Sequence, residues 1–256
     1  MADPRQRVVL IGGSVQQSLS AALQNAGFRA AAIDCRYEPH DVSSDRLAAF
    51  IDQLRGNEGI LGANVTIPHK EAVIPLVDEV DAPARAIGAV NTISRSGQRL
   101  LGSNTDGQGF LGALAEIGYD PAGKTAVIIG AGGAARAVVT VLKPLVDRLW
   151  VVNRTVERAE RLCAELGVQE GGAAPLAQLD RLLKGQVLVV NATPTDVTLP
   201  PENASFLFDL RSRSSITGRL MLLYQGMAAF EIWTGRRAPM EAMRQALMKA
   251  ANGVTA

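Results

Sequence analysis

The first 67 residues alternate short apolar runs with helical segments. Val8–Ile11, Ala30–Asp34 and Ile60–Ile67 predict strands, because each is a short and mostly apolar run. Leu19–Gly27 predicts a helix that stops at its glycine, and Asp45–Arg55 predicts a helix whose apolar side chains share one face. This β-α-β-α-β order is typical of a parallel sheet covered by helices.

The next segment predicts a β-hairpin between a short helix and a longer one, before a boundary at Pro121 and Gly123. The expected elements are the helix Asp81–Ile87, the strand Ala89–Ser94, the turn Ser96-Gly97-Gln98, the strand Leu100–Gly102 and the helix Asn104–Ile117, which is stopped by Gly118.

The second half alternates apolar strands with helices, the order of a doubly wound α/β domain. The predicted strands are Thr125–Ile129, Leu149–Val152, Val187–Val190 and Phe206–Leu210. The predicted helices are Ala134–Leu145, Thr155–Leu166, and two closing helices at Met221–Thr234 and Pro239–Ala251.

Composition and charge narrow the function classes. Hydrophobic residues make up 47% and charged residues 20% of the 256 residues, which suits a globular chain with a real core. The formal net charge of +1 gives no field that would recruit nucleic acid or an anionic membrane. The chain has neither a run of ~18 apolar residues nor a signal-peptide pattern, so we expect a soluble cytoplasmic protein.

Cys35 and Cys163 are the only cysteines, and they lie far apart in the sequence. Without C-x-x-C spacing they indicate neither a zinc site nor a disulfide framework, so we expect two idle thiols in a reducing compartment. His40 and His69 belong to no cluster of ligand residues. We interpret them as surface or structural residues and expect no metal.

A glycine-rich turn separates the strand Thr125–Ile129 from the helix that follows it. The segment from Gly130 to Ala135 fits G-x-G-x-x-A, in which the first glycine allows a tight turn and the second admits a pyrophosphate. A dinucleotide would then lie at the helix N-terminus. The predicted cofactor-binding residues here are Gly130, Ala131, Gly132, Gly133 and Ala134. Gly12-Gly13 lacks the third small residue, so we interpret it as a plain turn.

The end of the next strand indicates which cofactor is preferred. NAD-selecting sites usually place an acidic residue there, whereas this chain has Asn153, Arg154 and Thr155, with Arg158 one turn later. A guanidinium binds a 2′-phosphate that a carboxylate would repel, which favours NADP. The alternative is that both arginines are ordinary surface charges, although a helix N-terminus disfavours cations.

Three short polar motifs in the first half are candidates for chemistry. Ser18 and Ser20 flank a presumed helix start, where a helix cap is an equally good interpretation. Asn64-Val65-Thr66-Ile67-Pro68-His69-Lys70 ends a strand, at the sheet edge where ligands bind. Asn104-Thr105-Asp106-Gly107 opens a helix after Gly88-Ala89-Val90-Asn91-Thr92. Alone, Lys70 would be a surface lysine and Asp106 a helix cap.

Together these motifs resemble the shikimate dehydrogenase family over nearly the whole chain. The family order is S-x-S, N-V-T-I-P-H-K, G-A-V-N-T, N-T-D-G-x-G, G-A-G-G-A-A-R, N-R-T and N-A-T, followed by M-L-x-x-Q, which begins here at Met221. N-V-T-I-P-H-K and N-T-D-G are the most specific of them.

The resemblance implies an α/β enzyme of two domains with its active site in the cleft. An N-terminal α/β substrate domain would cover residues 1–105 and C-terminal helices from about 235 to 256. A Rossmann NADP-binding domain would cover residues 106–234, with linker helices at 106–117 and 225–234. The enzyme would be a monomer or homodimer, with shikimate as its small-molecule substrate.

The activity that the resemblance implies is reversible, NADP-dependent oxidation of shikimate to 3-dehydroshikimate, in aromatic amino acid (chorismate) biosynthesis or a related pathway. Lys70 and Asp106 would be the catalytic pair. Thr193 of the N-A-T motif would join the cofactor residues. The implied substrate-binding residues are Ser18, Ser20, Thr66, Asn91 and Gln225.

The chemistry independently suits these roles. A ketone that accepts hydride develops alkoxide character, and a Lys ammonium beside a carboxylate can stabilise that charge and move the proton. Hydroxyl and amide side chains suit a polyol substrate.

Two departures from the family pattern are visible. Ala21 stands where proline usually follows S-x-S, and only Arg211–Thr217 separates Asp209-Leu210 from Gly218, where a Tyr-x-Pro segment and a helix are expected. A paralogue acting on quinate or aminoshikimate is therefore an alternative, as is a non-catalytic NADP-binding regulatory protein. A methylene-tetrahydrofolate or glutamyl-tRNA reductase relative would explain the Rossmann half but not N-V-T-I-P-H-K with N-T-D-G.

Overall fold

In the computed structural model, which describes residues 6–199 and 205–253, the chain separates into two units by its residue contacts. The first unit is Met1–Thr105 with Leu222–Ala256, and the second is Asp106–Met221. The outermost parts of the predicted domain bounds, residues 1–5 and 254–256, lie outside the described residues.

The first unit is built on a mixed sheet in which the described strands follow the order β2-β1-β3-β5-β6-β4. The expected parallel arrangement is confirmed for β1, β2 and β3. The hairpin β5–β6 then adds antiparallel pairing, with Gly97 in its turn at a φ of 63°. The strands are β1 (Gln6–Gly12), β2 (Cys35–Asp41), β3 (Ile60–Val65), β4 (Glu79–Val80), β5 (Thr92–Ser96) and β6 (Arg99–Ser103).

Helices cover both faces of this sheet. Alternate residues of β1 point to opposite faces, so Val9 and Ile11 belong to one apolar core and Val8 and Leu10 to another. The helices of this unit, one of which continues from the second unit, are α1 (Ser20–Ala30), α2 (Leu47–Gly56), α3 (Ala82–Ile87), α8 (Ile216–Thr234) and α9 (Met240–Asn252).

The strand expected at Ala30–Asp34 is wrong. Helix α1 instead continues through Gly27 to Ala30. A side chain at Gly27 would crowd Phe230 and Met243, so this glycine allows close packing and does not end the helix. The true strand, β2, is mostly polar and lies at the edge of the sheet.

The domain assignment of residues 225–234 is also corrected: we expected them in the cofactor domain, but they belong to the first unit. Helix α8 begins earlier than predicted, at Ile216, and the boundary between the two units falls within it. From Leu222 onward its residues belong to the first unit, because the fully buried Leu223 and Phe230 join that unit's core.

The second unit contains a parallel sheet whose described strands follow the order β11-β10-β7-β8-β9. Its strands are β7 (Thr125–Ile129), β8 (Arg148–Asn153), β9 (Gly171–Pro175), β10 (Val187–Asn191) and β11 (Phe206–Asp209). Its other helices are α4 (Asp106–Glu116), α5 (Gly133–Leu142), α6 (Val156–Leu166) and α7 (Leu179–Leu182).

The predicted α/β class is therefore confirmed, with some bounds shifted. Strand β9 was not expected, because its Gly-Gly-Ala-Ala-Pro sequence has no apolar run. Helix α5 ends at Leu142, before the predicted Leu145. In the part of the chain that the structure describes, no helix is both long and apolar enough to cross a membrane.

Candidate active site

A buried network of polar side chains lies in the first unit, centred on Asn64 near the carboxyl end of β3. Asn64 is 6% exposed. Its Oδ1 accepts a hydrogen bond from the Tyr37 hydroxyl at 2.8 Å. Its Nδ2 donates to the Asn91 carbonyl and to the Thr92 Oγ1, each at 3.1 Å. Every hydrogen-bonding atom of the amide is thus engaged, which fixes its orientation.

Asn91 is the second centre of the network. Its Oδ1 accepts from the Thr92 hydroxyl at 2.8 Å and from the Thr105 backbone N–H at 2.9 Å. Its Nδ2 donates to the Thr105 Oγ1 at 3.0 Å, and Gln225 Oε1 lies 3.4 Å away. Two of the predicted substrate residues, Asn91 and Gln225, are therefore brought together from 134 positions apart.

Ser18 and Ser20 reach the same network through Tyr37. The Ser18 hydroxyl donates to the Ser20 Oγ at 3.0 Å, and Ser20 hydrogen-bonds Tyr37. Burial raises the pKa of the Tyr37 hydroxyl far above its ordinary value, and the bond with Ser20 partly offsets this. The N-cap of α1 is Leu19, without a side-chain cap, so neither serine takes the N-cap position that we weighed as an alternative.

Thr66 lies just beyond β3 and is half-buried. Its backbone N–H donates to the Ile11 carbonyl, and its methyl group would lie 2.5 Å from a Cβ added at Gly12. Gly12 is the last residue of β1 and only Gly13 lies in the bend that follows, so the expected turn begins one residue later; without a side chain at Gly12, the segment after β3 can approach β1 closely. Within residues 6–199 and 205–253 the Thr66 hydroxyl has no hydrogen-bond partner, so it remains available to a ligand.

The two predicted catalytic residues adjoin segments that are anchored by residues 89–91. The Lys70 carbonyl accepts from the Val90 N–H at 2.8 Å. Thr105, which immediately precedes Asp106, is held by Asn91. Asp106 itself is 4% exposed and opens α4. Residue His69 is buried, with its Nε2 2.7 Å from the Val42 carbonyl, so it is structural.

In the second unit, the predicted glycine turn leads directly from β7 into α5. Gly130 has a φ of 111°, and a Cβ there would lie 3.0 Å from the Thr193 Cγ2, so both conformation and space favour glycine. Around Gly132, a Cβ would meet no atom within 4 Å, which leaves its backbone open to a ligand. The remaining turn residues, Ala131, Gly133 and Ala134, are partly exposed.

The end of β8 carries the residues expected to select the cofactor. Asn153 donates through Nδ2 to the Thr155 carbonyl at 2.8 Å, which shapes the turn into α6. Arg154, Thr155 and Arg158 are exposed. Neither arginine side chain has a protein partner among the described residues, although both lie where a helix N-terminus disfavours cations. The open backbone at Gly132, after β7, suits a pyrophosphate, and the two unpaired arginines after the neighbouring β8 suit a further phosphate group. Together they fit a phosphorylated dinucleotide.

Thr193 follows β10 and lies against the Gly130 turn. Its hydroxyl donates to the Asn191 Oδ1 at 2.7 Å, and the same oxygen accepts from its backbone N–H. This bonding orders the loop beside the Gly130 turn, so Thr193 helps to shape the turn.

Sequence reasoning missed four members of the buried network. Asn64, Thr92 and Thr105 lie inside the quoted motifs, which could have singled them out as buried polar residues beside strand ends. Tyr37 carries no local signal, because it lies in a polar edge strand and meets Asn64 only through the parallel pairing of the sheet. No group of residues suited to a metal ion occurs in the described chain.

The second unit has a parallel sheet with a glycine turn between its first strand and helix, which defines a dinucleotide-binding α/β protein. The first unit is separate and rich in buried amides and hydroxyls.

Comparisons with known protein families agree with this class. The shikimate dehydrogenase substrate binding domain matches residues 10–93, shikimate / quinate 5-dehydrogenase matches residues 113–204, and the shikimate 5'-dehydrogenase C-terminal domain matches residues 218–248.

Whole-chain relatives extend this result. The chain is 42% identical to the NADP(+) shikimate dehydrogenase of Methanopyrus kandleri, over 96% of this chain and 97% of that protein. It is 43% identical to that of Moorella thermoacetica, over 95% and 92%. The chain therefore belongs to the shikimate dehydrogenase family. The first alignment has 283 positions, more than the 256 residues of this chain, so the relative carries insertions.

A solved structure gives the same result. The shikimate 5-dehydrogenase of Thermus thermophilus, determined with NADP(H) and shikimate, superposes with a TM-score of 0.82 at 33% identity. The match covers 96% of this chain and 99% of that one.

Proposed function

We propose that this protein catalyses the reversible, NADP-dependent oxidation of shikimate to 3-dehydroshikimate. One observation carries the proposal: the family's substrate motifs converge here into one buried network that runs from Ser18 through Tyr37, Asn64 and Asn91 to Gln225. Such a network presents fixed donors and acceptors, as recognition of a polyhydroxylated ring acid requires.

The residues of the first unit bind and orient the substrate. The hydroxyl of Thr66 and the polar groups of Ser18, Ser20, Asn91 and Gln225 pair with the ring hydroxyls and carboxylate. Because all of these side chains except that of Thr66 are already held by hydrogen bonds within the protein, little conformational entropy is lost on binding. An analogue lacking one hydroxyl would leave a buried group unpaired and would bind weakly.

Lys70 and Asp106 carry the proton transfer. In the oxidation direction the substrate hydroxyl gives its proton to the neutral Lys70 amine, which becomes an ammonium, and in the reduction direction that ammonium returns the proton to the developing alkoxide. Asp106 supplies the carboxylate of the pair. Bound NADP+ supplies the acceptor for the hydride that leaves the same carbon.

The cofactor is held by the second unit. Backbone N–H groups from Gly130 to Ala134 would hold the pyrophosphate, and Arg154 and Arg158 would hold the 2′-phosphate, with Asn153, Thr155 and Thr193 shaping the turns around it. We place the reaction in the cytoplasm, where free thiols such as Cys35 and Cys163 stay reduced.

A substrate panel tests this proposal. Purified protein with NADP+ is supplied with shikimate, quinate or aminoshikimate, and the formation of NADPH is followed by its absorbance. We expect rapid reduction of NADP+ when shikimate is the substrate, and a lower kcat/KM with quinate and with aminoshikimate. Preference for quinate or aminoshikimate would favour the paralogue alternative, and NADP+ binding without turnover would favour a regulatory protein.

A further inference from the structure

Arg211 occupies the position where the family resemblance led us to expect a Tyr-x-Pro segment and a helix. Residues 210–215 instead connect β11 directly to α8. The Arg211 guanidinium makes two sets of contacts. Its Nε lies 3.0 Å from both carboxylate oxygens of Asp209, and its Nη2 lies 2.6 Å from one of them. Its Nη1 lies 2.6 Å from the Asp196 carboxylate.

Asp209 anchors this arrangement in the sheet. It is the last residue of β11, and its side chain is 11% exposed. Its backbone carbonyl accepts from the Ser215 and Thr217 hydroxyls at 2.9 Å, which fixes the start of α8. Gly218 is required beside this turn, because a Cβ there would lie 2.6 Å from the Arg211 backbone. The Arg211 side chain is therefore supported by rigid backbone.

Asp196 lies in the loop that follows β10. The base of that loop is fixed by the fully buried Asn191, which accepts from Thr193 and donates to the Thr195 carbonyl at 2.9 Å. The far side of the loop is held by the ion pair with Arg211. The paired side chains also hold the pKa of Arg211 above its ordinary value, so it stays charged.

Sheet order assigns this loop to one half of the cofactor. A bound pyrophosphate would lie at the N-terminus of α5, after β7, and the 2′-phosphate of the adenosine half would lie after β8. Strand β10 flanks β7 on the opposite side. The other mononucleotide, which carries the nicotinamide, would then extend over the loop between Asn191 and Asp196.

We propose that Arg211 is a positioning residue which, by bridging Asp209 and Asp196, holds the loop after β10 against the nicotinamide half of the cofactor in place of the absent segment. This inference rests on the proposed function. We assign Arg211 no direct contact with substrate or cofactor, because its Nε, Nη1 and Nη2 atoms each already bind one of the two carboxylates. It acts by keeping the loop in the conformation that holds the nicotinamide for hydride transfer, a step that needs close positioning.

Two ligands separate this role from general binding. The compound 2′,5′-ADP contains only the adenosine half with its phosphates, whereas NADP+ contains both halves. We expect Asp196→Asn to raise the Kd of NADP+ about twofold to fivefold, a range typical of an exposed pair, while leaving the Kd of 2′,5′-ADP unchanged. Arg211→Ala should raise it further, and Asp196→Glu should restore it. Calorimetric titration measures both constants.

The variants differ in their risk to folding. Arg211→Ala leaves Asp209 unpaired, whereas the Asp196 side chain is 88% exposed, so Asp196→Asn should leave the fold intact. Asp180→Asn is the matched control, because it removes the same charge from an exposed position of the same unit that has no ion pair among the described residues. We also expect kcat with shikimate to fall in Asp196→Asn but not in Asp180→Asn.

The results distinguish this proposal from the proposed function. If Asp196→Asn matches Asp180→Asn in NADP+ binding, or weakens both ligands equally, the positioning role is overturned. If the wild-type protein binds NADP+ but does not oxidise shikimate, the proposed substrate is wrong and the binding comparison still decides the role of Arg211. Failure of the wild type to bind either ligand would overturn both.

Discussion

The Tyr37 hydroxyl donates a 2.8 Å hydrogen bond to the Asn64 Oδ1, and this contact determines which way the Asn64 amide faces. With its oxygen turned to Tyr37, the amide nitrogen points to the Asn91 carbonyl and to Thr92. A tyrosine in an edge strand therefore orients Asn91, a residue that we assign to substrate binding, although Tyr37 lies outside all the sequence motifs.

Tyr37→Phe should destabilise the protein and weaken shikimate binding. The substitution leaves the Asn64 oxygen buried without its donor, which costs about 1–3 kcal/mol of unfolding free energy. The freed amide can also rotate, so we expect a higher KM for shikimate with little change in the Kd of NADP+. Urea unfolding and steady-state kinetics measure these effects. Tyr119→Phe is the control, since its hydroxyl has no hydrogen-bond partner within the described chain; equal effects of both variants would contradict the assignment.

The same residue predicts a loss of stability in alkali. Burial raises the pKa of Tyr37, so the folded state holds a proton that the unfolded chain, with a tyrosine pKa of about 10, would release. The stability contributed by neutral Tyr37 is complete below pH ~10 and decreases as the pH rises above that value. Urea unfolding from pH 8 to 11 should show a steeper decline in wild type than in Tyr37→Phe. Parallel curves would show that another group is responsible.

Arg154→Ala should weaken NADP(H) far more than NAD(H). Loss of a charge-assisted bond to the 2′-phosphate costs about tenfold to a hundredfold in affinity, and NAD lacks that phosphate. Cofactor titrations with the variant and wild type measure the two ratios. Arg161→Ala, at an exposed position of α6, the helix that follows Arg154, should change neither affinity. Equal losses of both cofactors in Arg154→Ala would show that Arg154 does not read the 2′-phosphate.

Sequence patterns foresaw the second unit better than the first, for a physical reason. The bounds of β7 agree with the predicted Thr125–Ile129, because a β-branched run ending at Gly130 is a local signal. Strand β2 has no such signal: it is polar, lies at a sheet edge and is defined by its pairing with β1. Gly27 misled the prediction because its role is contact with Phe230 and Met243, which are distant in sequence.

The candidate site divides in the same way. Asn91 and Gln225 were predicted from short motifs, and the structure brings their side chains together. The bond between Tyr37 and Asn64 joins residues 27 positions apart and exists only once β1 lies between β2 and β3. Similarly, the ion pair between Arg211 and Asp196 joins two loops that follow neighbouring strands, so no local sequence pattern predicts it.

Lys70 and Asp106 should behave as one catalytic unit. Lys70→Ala removes the group that exchanges the proton, so kcat should fall about a hundredfold to ten-thousandfold while the Kd of NADP+ is unchanged. Asp106→Asn keeps the shape of a residue that is 4% exposed but removes its charge, and it should lower kcat as well. Because residues that act together have non-additive effects, the double variant should be little worse than the poorer single variant.

Lys184→Ala, at an exposed position of the second unit, controls for loss of a lysine charge. Single-turnover measurements at saturating NADP+ and shikimate isolate the chemical step from product release. If the two losses multiply in full, or if Lys70→Ala changes only KM, then Lys70 binds the substrate without transferring the proton.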